Sequence, residues 1–216
     1  TAYEIRLSLV GSEMCIRDSI LREALMSKLV AGNWKMFGDQ NMLSEIKVID
    51  QYCHKIDCEV AICPPFQLIL SAHQQTKNIK IGAQNCHINA NGPHTGEVSA
   101  EMLIDVGAEL ILVGHSERRQ DNNETNKIIK QKAEAVQRAG ATAVVCIGET
   151  LEERKADRTL QVLQEQMLNC LPKNVNPKNT VVAYEPVWAI GTGLVPEICL
   201  LYTSDAADEG IGVDLG

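Results

Sequence analysis

Aromatic side chains are scarce, at 4% of 216 residues, which leaves no platform for stacking nucleic-acid bases. Positive charge is also in deficit. Asp and Glu number 28 against 20 Lys and Arg, giving a net charge of −8, so neither nucleic acid nor an anionic membrane is the natural partner. No apolar run is long enough to span a bilayer. The eight cysteines contain no C-x-x-C pair, which points to free thiols in a reducing cytoplasm rather than to a disulfide framework. Cys86-His87 with His94 is too sparse for a zinc site. No Walker lysine motif occurs, and Gly191-Thr192-Gly193 fails as a dinucleotide fingerprint because Pro196 holds the third glycine's place. The expectation is a chain that uses neither metal nor organic cofactor. What is present is 45% hydrophobic residues, enough for one sizeable core in a single α/β domain.

The two ends are expected to stand outside that domain. Arg6, Glu13, Arg17 and Asp18 interrupt every apolar stretch near the start, which excludes a signal peptide. Met14-Cys15-Ile16-Arg17-Asp18-Ser19 can be encoded by DNA whose reverse complement, in a shifted frame, reads Cys199-Leu200-Leu201-Tyr202-Thr203. Such antisense copies resemble translated transposon-adapter sequence. Residues 1–19 and 199–216 are therefore expected to be non-native, with the domain at 20–198 and Met26 as the natural start.

Within the domain, short apolar runs alternate with amphipathic segments. Strands are expected at 29–34, 60–63, 79–85, 110–114, 142–147 and 180–184. Helical patterning falls around 42–49, then at 66–75, 99–106, 123–139 and 151–171, with Gly107 and Gly140 placed as helix stops. This alternation implies parallel strands joined by crossovers, either as a barrel or as a doubly wound open sheet. In both architectures active sites sit at strand C-terminal ends, where Asn33, Lys35, Asn85, His115, Glu149 and Glu185 all fall.

The densest signal is Tyr184-Glu185-Pro186-Val187-Trp188-Ala189-Ile190-Gly191-Thr192-Gly193. A carboxylate at the end of a β-branched strand, followed by an apolar, glycine-punctuated loop, fits a general base under a movable cover. Gly32-Asn33-Trp34-Lys35 places an amide and a cation at the first strand's mouth, a partner for a phosphate or an oxyanion. In Gly114-His115-Ser116-Glu117-Arg118-Arg119 the histidine is positioned to polarise a carbonyl. Ser116 is not a nucleophile elbow, because Arg118 stands where that turn needs glycine.

Together with Gly82-Ala83-Gln84-Asn85, Gly92-Pro93-His94-Thr95-Gly96-Glu97 and Cys146-Ile147-Gly148-Glu149, these stretches resemble the triosephosphate isomerase family across residues 28–198. The resemblance implies a TIM (β/α) barrel truncated after about six βα units, and interconversion of dihydroxyacetone phosphate and glyceraldehyde 3-phosphate in the cytoplasm. It implies Glu185 as the base, His115 as the neutral electrophile and Lys35 as a fixed positive charge. Asn33, Trp34, Lys35 and the Gly191 N–H would contact substrate, Glu117 and Cys146 would support the site, and the loop of Thr95 and Glu97 would reach across a homodimer. Two further βα units would complete the family's barrel and phosphate pocket. For the chain alone, an inert fragment is therefore the alternative expectation. Another phosphosugar-binding barrel enzyme is a weaker one.

Overall fold

The computed structural model describes residues 29–55 and 58–189. Six parallel strands form one sheet in sequence order: β1 (Leu29–Asn33), β2 (Glu59–Cys63), β3 (Lys80–Ala83), β4 (Leu110–Val113), β5 (Thr142–Ile147) and β6 (Thr180–Tyr184). Each pairs in parallel with the next, from Leu29↔Glu59 at one end of the sheet to Ile147↔Tyr184 at the other. Helices α1 (Leu43–Cys53), α2 (Ile69–His73), α3 (Ala100–Asp105), α4 (Ser116–Asp121), α5 (Asn126–Ala139), α6 (Leu151–Lys155) and α7 (Thr159–Cys170) fill the connections. The result is an open, curled sheet, a partial barrel of six βα units. Among the described residues β1 and β6 are its two edges.

The curl follows from how the strands divide their side chains. Successive residues of a strand point to opposite faces. Ile62, Ile111, Val113, Val145 and Val182 join the large cluster that includes Ile46, Leu68, Ile69, Leu103, Ile129 and Leu163 from the helical connections. Their neighbours Ala61, Cys63, Leu110, Leu112, Val144 and Val181 form a second cluster made of strand residues alone. These inward residues stay buried without a helix above them because the sheet bends over itself. Gly82 sits where this inner face is tightest: an added Cβ would come within 2.6 Å of Cys63 Sγ and 2.8 Å of Leu110 Cδ1.

Strands β5 and β6 fall where the apolar runs place them, whereas one expected helix starts late and another is interrupted. The pattern over 123–139 begins helix only at Asn126, capped by Thr125, and a separate short helix, α4, precedes it. The 151–171 pattern divides into α6 and α7. At the late start and at the break a non-glycine residue takes left-handed backbone: Asn123 (φ 52) and Asp157 (φ 56). Asn and Asp tolerate that conformation best among non-glycine residues, so a polar position inside a continuous stripe becomes a corner.

Before β3 the turn is held by one buried carboxylate. Asp50 Oδ1 accepts the backbone N–H groups of Lys77, Asn78 and Ile79 at 2.9, 2.6 and 3.1 Å. Burial pushes this carboxyl upward, but the donors outweigh it and hold it below its ordinary value. The stabilisation is therefore present above the unfolded-state value and lost as pH falls through the lowered one. Asp50→Ala leaves three donors without this acceptor and is expected to cost about 1–3 kcal/mol, read as a lower thermal midpoint. An unchanged midpoint would contradict this role.

Candidate active site

Strands β1, β4, β5 and β6 deliver the chemistry to the same rim. Glu185 follows β6 directly, and its N–H donates to the Ile147 carbonyl at the end of β5 (2.7 Å). The residue is 8% exposed, yet three donors meet the carboxylate. His115 Nε2 lies 2.9 Å from Oε1. Ser116 donates its hydroxyl to Oε1 at 2.6 Å and its backbone N–H to Oε2 at 2.9 Å. Ser116 and His115 are neighbours at the start of α4, so one helix N-terminus presents both groups to the base.

The other polar residues connect in a line. Glu117 Oε2 is 3.5 Å from His115 Nδ1, and Glu117 Oε1 is 3.3 Å from Lys35 Nζ. With the ring neutral and Nδ1 bare, the Glu117 backbone N–H donates to Nδ1 at 3.3 Å; with the ring protonated, Nδ1–H faces Glu117 Oε2 instead. A neutral imidazole with its proton on Nε2 satisfies both ends of the ring. Lys35 has φ 51, and its peptide is pinned on both sides: its N–H donates to Asn33 Oδ1 (2.9 Å), and its carbonyl accepts from Gln84 Nε2 (2.9 Å).

Burial alone raises the Glu185 carboxyl, but the His115 and Ser116 donors reverse it and hold the group below its ordinary value of 4.5. For His115 burial favours the neutral ring, and the Glu185 and Glu117 carboxylates prevail, raising it above 6.5. The Glu185 contribution to stability is lost as pH falls through its lowered value, and the His115 contribution as pH rises through its raised one. The pair is accordingly at full strength between about pH 4.5 and 6.5. In Glu185→Gln the His115 titration is expected to move to lower pH, followed by NMR of the ring. A midpoint that stays put would show that Glu185 does not set it.

A second buried carboxylate stands behind the first. Glu149, just after β5, is fully buried. Its Oε1 accepts from Arg154 Nη1 (3.0 Å), Tyr184 Oη (3.1 Å), Trp188 Nε1 (3.2 Å) and Thr159 Oγ1 (3.3 Å). The Arg154 guanidinium also lies over the Trp188 ring, 4.6 Å from its centroid. The 3-10 turn Val187–Ala189, which opens the expected cover, is thereby tied to β5 and α6.

Glu185, His115, Lys35, Asn33 and Glu117 thus come together. Trp34 is half-buried under Gly38, whose Cβ position lies 2.9 Å from its ring. Cys146 is buried one strand over, with its carbonyl facing Arg119. Thr95 and Glu97 stand exposed on the loop after β3. Gly191 lies outside the described residues. The sequence reading missed the part Ser116 plays, because Ser116 meets Glu185 across 69 residues of chain. Glu149 was visible as a polar residue at a strand end and in the stretch Cys146-Ile147-Gly148-Glu149, with no role attached to it. Among the described residues no group of three or more His, Cys, Asp or Glu is placed to hold a metal ion.

A curled parallel sheet with polar and charged side chains gathered at its C-terminal rim is the architecture of a βα-barrel enzyme. The family model described as triosephosphate isomerase matches residues 28–199, and the chain belongs to that family. It is 52% identical over 171 residues to the triosephosphate isomerase of Ruegeria sp. (strain TM1040), covering 79% of this chain and 70% of that protein. With the Rhodopseudomonas palustris (strain BisA53) enzyme the identity is 48% over 179 residues, 80% of this chain and 71% of the relative. The crystal structure of the Bartonella henselae triosephosphate isomerase superposes with a TM-score of 0.75 at 37% identity, covering 87% of this chain and 81% of that one. Among the described residues no helix is long and apolar enough to cross a membrane.

Proposed function

We propose that the complete protein interconverts dihydroxyacetone phosphate and glyceraldehyde 3-phosphate through an enediolate, with Glu185 moving the proton. The observation that carries this reading is the 2.9 Å contact between Glu185 and His115 Nε2 at a buried strand end. The Glu185 carboxylate takes a proton from the carbon beside the substrate carbonyl. The electron pair of that C–H bond becomes the carbon–carbon double bond, and charge moves onto the carbonyl oxygen. His115 Nε2–H meets that oxygen, and Lys35 supplies a fixed positive charge nearby. The proton of the neighbouring hydroxyl passes by way of His115 to the former carbonyl oxygen, Glu185 returns its proton to the former carbonyl carbon, and the carbonyl re-forms on the oxygen that gave up its proton. These groups complete the proton transfers among themselves, so the reaction is assigned neither metal nor organic cofactor.

The geometry adds a condition. Held by His115 and Ser116, Glu185 is a weak base, because those donors lower its affinity for a proton. A substrate carbonyl that claims His115, with release of the Ser116 bonds, leaves burial as the dominant influence, which makes the carboxylate more basic. Asn33 and Trp34 border the substrate, the Gly191 N–H meets its phosphate, and Glu117 and Cys146 steady the rim. The loop of Thr95 and Glu97 serves a homodimer, and the enzyme works in the cytoplasm. The test is a coupled assay of the complete protein in the presence of a chelator. Full isomerase activity is expected. Activity that vanishes with the chelator and returns with zinc would overturn the proposal.

A further inference from the structure

Arg119 leaves α4 four residues after His115, half-buried, and its guanidinium runs back beneath the strand ends. Its Nε–H donates to the Gly114 carbonyl at 2.8 Å. One Nη2–H donates to the Cys146 carbonyl at 3.0 Å, with Cys170 Sγ at 3.5 Å from the same nitrogen. Nη1 donates to Asn126 Oδ1 at 2.7 Å, and Cys170 Sγ–H reaches the same oxygen at 3.2 Å. Four partners, on the turn after β4, on β5, on α5 and on α7, fix the plane of the guanidinium.

The two carbonyls it joins have a special place in the sheet. The β4–β5 register ends at Val113↔Val145, so Gly114 and Cys146 are each one residue past the last pair. Gly114 turns there with φ 76, and a Cβ at that position would come within 2.8 Å of Ile129 Cγ2. Its carbonyl belongs to the peptide that leads into His115, which the ladder no longer orients. On the β5 side, Cys146 precedes Ile147, whose carbonyl accepts the Glu185 N–H. One guanidinium therefore bridges the exit toward His115 and the strand end on which Glu185 rests.

We propose that Arg119 is a positioning residue: by tying the Gly114 and Cys146 carbonyls together beyond the end of the ladder, it sets the separation of His115 and Glu185. A planar fork is needed for this, since one lysine ammonium cannot hold Nε- and Nη-spaced carbonyls at once. The inference rests on the reading of His115 and Glu185 as the reacting pair.

The experiment compares Arg119→Lys, Arg119→Met and Asn126→Ala with the unaltered complete protein. Arg119→Lys and Arg119→Met are expected to lower kcat about 100-fold, as a misplacement of about 1 Å does, while KM stays within about threefold. Asn126→Ala, which removes one brace and keeps the fork, is expected to fall between them and the unaltered protein. The His115 Nε2–H NMR signal, seen without substrate, is expected to shift or broaden in both Arg119 variants. A purely structural role would lower thermal stability but leave kcat at 25 °C and the His115 signal unchanged, and that result overturns the proposal. If Arg119→Met does not fold, the Arg119→Lys and Asn126→Ala measurements decide by the same criteria. An unaltered protein without isomerase activity would count against the reaction assigned to the pair, whereas the His115 signal still decides the role of Arg119.

Discussion

Replacing Glu185 by aspartate is expected to cut turnover of the complete protein by about a hundredfold while leaving the binding of an anionic, phosphate-bearing inhibitor nearly unchanged. The variant keeps the charge and withdraws the carboxylate by about 1 Å, a misplacement that costs a reacting group roughly two orders of magnitude. Ser116 and His115 sharpen the effect. Their three donors are set for a carboxylate at the end of two methylenes, with contacts between 2.6 and 2.9 Å. The shorter side chain cannot meet them and still reach a substrate carbon. Inhibitor affinity separates this from a binding defect, because an interaction made only in the transition state lowers kcat without raising KM. Turnover within about twofold of the unaltered protein would show that Glu185 is not the base.

Gly148→Ala should be nearly as damaging, although glycine 148 carries no functional group. An added Cβ would run into the Glu185 carbonyl oxygen and lie 3.1 Å from Val187 Cγ2. The glycine cannot step aside. Its N–H donates to Gln166 Oε1 at 2.8 Å, and its carbonyl accepts from Gln166 Nε2 at 2.9 Å, so one side-chain amide on α7 clamps it from both sides. The displaced element is therefore the Glu185 peptide, which otherwise docks on Ile147. A loss of about a hundredfold in kcat is expected, with the far-ultraviolet spectrum retained, since the sheet away from the rim is untouched. A folded variant with kcat within about threefold would mean that the close approach at Gly148 does not position the base.

How much of this was legible in the sequence depends on the range of each interaction. Thr142–Ile147 and Thr180–Tyr184 are β-branched runs bounded by polar turns, and both become strands over those residues. Inside and outside could not be assigned, because a parallel strand buried on both faces shows no alternation. The division between the two core clusters appears only once Ala61 and Cys63 turn inward while Val60 and Ile62 turn toward helices. Asp157 broke a helix that the apolar stripe carried straight through, and Asn123 delayed the start of another, since nothing in the stripe marks a left-handed corner. At the rim, Glu185, His115 and Lys35 stood out by type and position. Ser116, Glu149 and Gly148 did not: a serine at a helix start, a carboxylate bonded by Tyr184 and Trp188, and a glycine beneath a passing peptide each depend on a partner at least 35 residues away.

The most direct test follows the transferred hydrogen. With dihydroxyacetone phosphate and the complete protein in heavy water, proton transfer through Glu185 predicts deuterium at the reacting carbon of the product, because a protonated carboxylate exchanges with solvent. In Glu185→Gln both the conversion and the incorporation should fall together. Quantitative retention of the substrate's own hydrogen, with conversion unaffected by Glu185→Gln, would mean that the hydrogen moves between the two carbons without a protein base, and would contradict the account.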